Sequence, residues 1–224
     1  MTASATDGRL ARDLRGFGPM GLTAIVIILL GNFLFVPLSG ILVLAWVTIS
    51  RTPWREIGYV RPKSWVVATI VGFVFGSVFK LVMKALIMPL LGAPTINAAY
   101  HFLAGNSAEL PGMVLLIIFG AGFGEETVFR GYLFERFGKL FGTSRGAKIA
   151  TILITSIWFG LIHYPMQGLA GAEQAAIFGL VFGAIISGTG RIWLLMCAHV
   201  AFDLTALALI YWGKEAAVAH FFFP

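Results

Sequence analysis

The chain has 224 residues, of which 58% are hydrophobic and 12% charged, with a mean hydropathy of +0.90. Soluble globular domains carry about 25% charged residues, so the composition excludes that class and indicates a polytopic α-helical membrane protein. The net charge of +6 is assigned to connections between spans, where Lys and Arg set orientation, and no nucleic-acid partner is expected.

Residues 1–19 are polar, carry Arg9, Arg12 and Arg15, and form a cytoplasmic N-terminus. The apolar run from Met20 ends in no small-residue cleavage site, so a retained helix is expected rather than a cleaved signal peptide. Apolar segments fall at 20–49, 65–90, 111–135, 149–164, 174–188 and 193–212. None alternates with the period of two that marks an outer-membrane barrel. The first is too long for one simple span: thirty residues make about 45 Å of helix against a hydrocarbon core of about 30 Å. With Asn32, Pro37, Ser39 and Gly40 inside it, it is either one kinked helix or a tight pair of short ones. The expected fold is all-α, a transmembrane bundle of six or seven spans. Residues 20–110 supply N-terminal helices, 111–212 a transmembrane core and 213–224 a tail.

Basic residues cluster at 50–63 (Arg51, Arg55, Arg61, Lys63), at 136–148 (Arg136, Lys139, Arg145, Lys148) and at Arg191, whereas 92–110 and 165–173 hold none. This alternation places the basic connections in the cytoplasm. Lys80 and Lys84, one turn apart near the outer end of their segment, are read as snorkelling to the headgroups. Gly72/Gly76, Gly120/Gly124 and Gly179/Gly183 have the small-xxx-small spacing that lets helices approach in lipid. Cys197 is the single cysteine, so it forms no internal disulfide and is read as packing. Glu135 and Arg136 mark a cytoplasmic helix end, His101 and His220 are interfacial, and Glu173 suits the start of a short helix.

The chemistry lies in three segments. A charged residue at the centre of a membrane helix costs about 2.5–3.5 kcal/mol on insertion scales, yet 119–137 contains Glu125, Glu126 and Arg130. Glu126 and Arg130, four apart, share a face and can neutralise each other. Glu125 points about 100° away, without a partner in its own helix, and is free to act as a general base. His163 follows Phe159 by one turn, and His199 and Asp203 lie one turn apart on one face. At 1.5 Å per residue, Glu125 lies about 16 Å from Arg136, His163 about 22 Å from Lys148 and His199 about 12 Å from Arg191. Measured from one membrane side, the three therefore occupy a layer about 10 Å deep, close enough to meet.

Glu125-Glu126-x-x-x-Arg130, Phe159-x-x-x-His163 and His199-x-x-x-Asp203, in this order on successive segments, resemble the motifs of the CPBP (Abi) family. These are intramembrane endopeptidases related to the type II CAAX prenyl protease and to bacteriocin-processing and self-immunity proteins. The stretch Trp54-Arg55-Glu56-Ile57-Gly58-Tyr59 is also similar to one found upstream in bacterial members. The resemblance implies that Glu125 activates a water shared with His163. It implies that Glu126 and Arg130 support the helix, and that His199 and Asp203 stabilise the oxyanion. The prenyl-protease branch has asparagine where this chain has Asp203. An ionised aspartate cannot donate to an oxyanion, so Asp203 is either protonated or, the favoured reading, orients and charges His199. A glutamate and two histidines also form a zinc-ligand set. Any metal would sit on Glu125, His163 and His199, although a site without metal or other cofactor is favoured.

The expected function is hydrolysis of a peptide bond in or near the membrane. The partners would be a peptide or lipidated-peptide substrate and membrane lipids. The expected location is a bacterial cytoplasmic membrane, with the site mid-membrane and open to the cytoplasm. Two alternatives stand beside it: a non-catalytic membrane immunity or assembly protein, and a proton-coupled transporter, whose relays also use intramembrane Glu, His and Asp.

Overall fold

The structure, a computed structural model, describes residues 5–223. Residues 1–4 of the expected cytoplasmic N-terminus and Pro224 of the expected tail lie outside the described residues. Among the described residues the chain is all-helical, as its composition requires.

Helix α1 (Ala5–Arg15) meets α2 (Pro19–Leu34) at a 64° bend. Pro19 occupies the first turn of α2, where its missing N–H leaves no hydrogen bond unmade. Phe35 is extended (φ −165°, ψ 118°), and Pro37 again sits in the first turn of α3 (Val36–Ser50). The segment 20–49 is thus a tight pair of short helices. Ser39 Oγ donates to the Ile28 carbonyl at 2.6 Å, which draws α3 back antiparallel along α2. At 1.5 Å per residue these helices reach about 24 and 22 Å, short of a core of about 30 Å. The chain therefore returns to the side from which it came, putting α1 at the same end as the basic connection 51–63.

Helix α4 (Trp65–Leu90) begins on Ser64, whose hydroxyl caps the Val67 N–H at 3.3 Å. It runs parallel to α7 (Trp193–Tyr211). Trp65 meets Trp193 edge to face at 4.8 Å, and Thr205 Oγ1 donates to Ser77 Oγ at 3.0 Å. Gly72 and Gly76 lie on this interface. A Cβ on Gly76 would come 2.0 Å from the Ala198 carbonyl oxygen, so the two backbones touch. Opposite this seam, Val66, Val67, Ile70 and Val74 are exposed, as a lipid-facing surface should be.

Between them come α5 (Leu110–Phe141) and α6 (Arg145–Thr189). Helix α6 contains both apolar segments read as separate spans, 149–164 and 174–188. It breaks at Gly168 (φ 66°, ψ −166°), just after Pro165, a conformation that only glycine adopts readily. Its halves fold against each other: Gly160 faces Ala172 and Ala176, Gly179 faces Ser156, and Gly183 faces Ile152. A short helix α8 (Glu215–Ala219) closes the chain.

By length and composition four helices can cross a membrane, or five if the bent pair at the N-terminus counts as one. The expectation of six or seven spans is not confirmed. Two of its spans lie in the one bent helix α6, and α2 and α3 are each too short to span alone.

Candidate active site

Helix α5 carries the first motif through two stretches of wider, i→i+5 bonding, Leu116–Glu125 and Thr127–Tyr132. Such geometry is rare and recurs at functional positions. Glu125 and Glu126 sit where the stretches meet and point to different surroundings. Glu126 is fully buried, whereas the side chain of Glu125 retains 15% exposure.

One oxygen of Glu126 holds two partners. Its Oε1 accepts from Arg130 Nη1 at 3.0 Å, the pairing expected one turn apart, and from His199 Nδ1 at 2.7 Å. The Arg130 guanidinium lies 4.4 Å over the Phe159 ring and 5.3 Å over Phe178. Its charge is thus compensated by one carboxylate and two aromatic faces. A carboxylate can only accept, so Nδ1 of His199 bears the proton and Nε2 faces onward. That Nε2 lies 3.9 Å from Glu125 Oε2 and 3.6 Å from Asp203 Oδ2. The contact that orients His199 therefore comes from Glu126, and Asp203 stands beside the opposite nitrogen.

His163 is held by its own helix. Its Nδ1 donates to the Phe159 carbonyl at 2.7 Å, and its ring packs on Phe159 at 4.5 Å. Nε2 is left as the acceptor. Phe159 separates the two histidines, since its ring is also 6.2 Å from that of His199.

Glu125, His163, His199 and Asp203, from three helices, all line one cavity of about 490 Å³. The volume falls within the usual range for ligand pockets, about 300–1,000 Å³. Glu126 and Arg130 do not line it; they lie behind it. Of the six residues singled out from the sequence, four line this cavity, Glu126 lies one hydrogen bond behind it through His199, and Arg130 lies one further through Glu126.

Several lining residues escaped the sequence reading. Lys80 does not snorkel: it is 6% exposed, donates to Gln174 Oε1 at 2.9 Å and lies 4.8 Å over the Phe202 ring. Lys84 is also internal, donating to the Thr95 carbonyl at 2.6 Å with Glu215 at 3.6 Å. Tyr100, from the connection before α5, lines the cavity and accepts from Gln167 Nε2 at 3.3 Å. Burial, then the negative charge of Asp203 and Glu125, raises its pKa above the ordinary 10. Its hydroxyl stays a donor at neutral pH. Glu135 and Arg136, read as a cytoplasmic helix end, form a buried ion pair there.

Among the described residues no three His, Cys, Asp or Glu side chains are gathered to hold a metal ion. In the set Glu125, His163 and His199, each histidine spends Nδ1 on a protein acceptor. That leaves each Nε2 free, an orientation that a metal-ligating imidazole also takes, and no step below passes through a metal.

Residues 107–205 match the family model of the Type II CAAX prenyl endopeptidase Rce1-like domain. All six motif residues, from Glu125 to Asp203, fall inside this stretch. The match supports assignment of the chain to the CPBP family of CAAX proteases. No curated protein and no solved structure matches the chain.

Proposed function

On the premise of that family assignment, we propose that the protein is an intramembrane endopeptidase of the CAAX-protease type, working through Glu125, His163, His199 and Asp203. The observation that carries this reading is the convergence of these four side chains on one cavity, with Glu126 fixing the tautomer of His199 from behind.

Amide hydrolysis needs a base, a water, and donors aimed at the developing oxyanion. Glu125 is the base, and a water between it and the Nε2 of His163 is the nucleophile. As the water oxygen bonds to the scissile carbonyl carbon, its proton passes to Glu125. The carbonyl electrons move to oxygen, where the N–H of His199 Nε2 receives the negative charge. To donate from both nitrogens His199 must be the imidazolium, and Asp203 and Glu125 supply the charge beside it. Collapse of the intermediate breaks the C–N bond, and Glu125 returns its proton to the departing amine. Glu126 and Arg130 touch neither water nor substrate; they are positioning residues.

The test is cleavage of a membrane-peptide library by protein purified in detergent, with and without chelator. Glu125→Gln is expected to lower kcat by about 10²–10⁴-fold, the usual worth of a general base, while the helical content and melting temperature persist. His163→Ala should fall by at least tenfold. Wild-type turnover that survives chelator supports the metal-free route; loss restored by zinc overturns it. A Glu125→Gln variant that cleaves within tenfold of wild type removes Glu125 from the mechanism.

A further inference from the structure

The cavity lies in one half of the bundle only. From Glu125, its lining runs along α5 back to Met113 and along α7 from His199 on to Ile210. Helix α6 contributes the residues around its Gly168 bend, and the connection before α5 contributes Asn97 and Tyr100. Exposure follows the same direction: the side chain of Asp203 is 32% exposed, that of Glu125 15%, and that of Glu126 0%.

The other half is sealed. Beyond Glu126 the chain continues through Val128, Phe129, Tyr132 and Leu133, all buried, against Phe182, Leu195 and Ile192. The stretch around Trp54–Ile57 is drawn across this end as a floor. Ile57 is fully buried, the Gly58 carbonyl accepts the Ile192 N–H at 2.9 Å, and Tyr59 Oη bonds Thr127 Oγ1 at 2.8 Å.

Charge marks which end is which. All but four of the sixteen Lys and Arg lie at the sealed end: α1, the connections 51–63 and 136–148, and Arg191. Of the four, Arg130 and Lys80 are buried inside the bundle and Lys84 is bonded to the Thr95 carbonyl, leaving Lys214 as the exposed cation at the open end. Basic connections stay in the cytoplasm. A second cavity, of about 510 Å³, shares Lys80, Asn97 and Gln174 with the first and reaches Pro94 and Glu215 at the end poor in Lys and Arg.

We propose that the active site is entered from the non-cytoplasmic face of the membrane, and that its substrate is an exported or membrane-anchored polypeptide presenting an apolar segment there. This replaces the cytoplasmic opening expected from the sequence. The substrate class rests on the protease reading; the direction of access does not. A lipidated tail that stays in the cytoplasm meets the sealed end.

The experiment uses full-length protein carrying Cys197→Ala, with one new cysteine. Ala206→Cys lies on both cavities, and Gly146→Cys lies at the basic end with open space around it. A membrane-impermeant methanethiosulfonate reagent is added to spheroplasts and to inverted vesicles. Ala206→Cys is expected to react at least tenfold faster in spheroplasts, and Gly146→Cys at least tenfold faster in inverted vesicles. The opposite pattern overturns the proposal, as does an Ala206 thiol that reacts from neither side but reacts once denatured. Met113→Cys repeats the measurement should Ala206→Cys fail to fold. Repeating it in Glu125→Gln separates access from catalysis, because labelling needs no turnover. A peptide cleaved by the detergent-purified enzyme is then added to both vesicle types. Cleavage at least tenfold faster in spheroplasts supports the substrate class, and cleavage confined to inverted vesicles overturns it.

Discussion

Glu126 holds Arg130 and His199 on the same oxygen, so its charge and its acceptor geometry serve different partners. Glu126→Gln separates the two. The amide keeps the shape but leaves Arg130 buried without a counter-charge, and it can offer an N–H to Nδ1 of His199, allowing the other tautomer. Removing one partner of a buried ion pair costs about 3–5 kcal/mol, so the melting temperature should fall clearly. In the folded fraction kcat should drop about 100-fold with KM little changed, because the residue lies behind the cavity. A rise in KM with kcat preserved would show that Glu126 contacts substrate instead. Asp203→Asn is the contrasting variant. It removes the charge that favours the imidazolium, but its amide N–H can itself donate to the oxyanion, so kcat is expected within tenfold of wild type. The same peptide-cleavage kinetics check both.

The helices show what neutral packing contributes and how far local pattern reaches. Gly76→Val would place side-chain atoms within the Ala198 backbone, pushing α4 from α7 one residue away from His199. Overpacking typically costs about 1–3 kcal/mol, so lower thermal stability and lower activity are expected together. Gly138→Ala, also in a helix but with nothing within 4 Å, should be neutral or slightly stabilising. Thermal unfolding in detergent compares them. The glycine spacing and the four-residue motifs were readable because both are fixed by one turn of one helix. The direction of His199 was not: its partner Glu126 is 73 positions away. Nor was the fate of Lys80, whose acceptor Gln174 is 94 positions away. The break in α6 left Pro165 and Gly168 as local signs, but its closure into an antiparallel pair depends on Ser156 meeting Gly179. Counting apolar runs cannot see that contact.

The whole molecule is closed at its basic end by a buried contact where the sequence marks only a cytoplasmic helix end. Arg136 is 2% exposed, pairs with Glu135, lies 4.5 Å over the Trp46 ring and donates Nη1 to the Arg15 carbonyl at 2.9 Å. Trp46 Nε1 donates to the neighbouring Leu14 carbonyl at 3.1 Å. The last carbonyls of a helix have no N–H partner within it, and here α3 and α5 supply donors to the end of α1. Arg136 therefore fastens the N-terminal helix to the bundle while neutralising Glu135. Arg136→Ala removes the donor and leaves a buried carboxylate unpaired, at a cost of about 3–5 kcal/mol. Trp46→Phe removes a single hydrogen bond, worth about 1 kcal/mol, and keeps an aromatic face for the guanidinium. In limited trypsin digestion followed by mass spectrometry, cuts after Arg9, Arg12 and Arg15 should accelerate strongly in Arg136→Ala and modestly in Trp46→Phe. Peptide cleavage per folded molecule should stay near wild type in both, because the floor around Ile57 and Tyr132 separates this contact from the cavity. If α1 stays as protected in Arg136→Ala as in wild type, its attachment comes from its own apolar face, and the pair at 135–136 serves only the interior of the bundle.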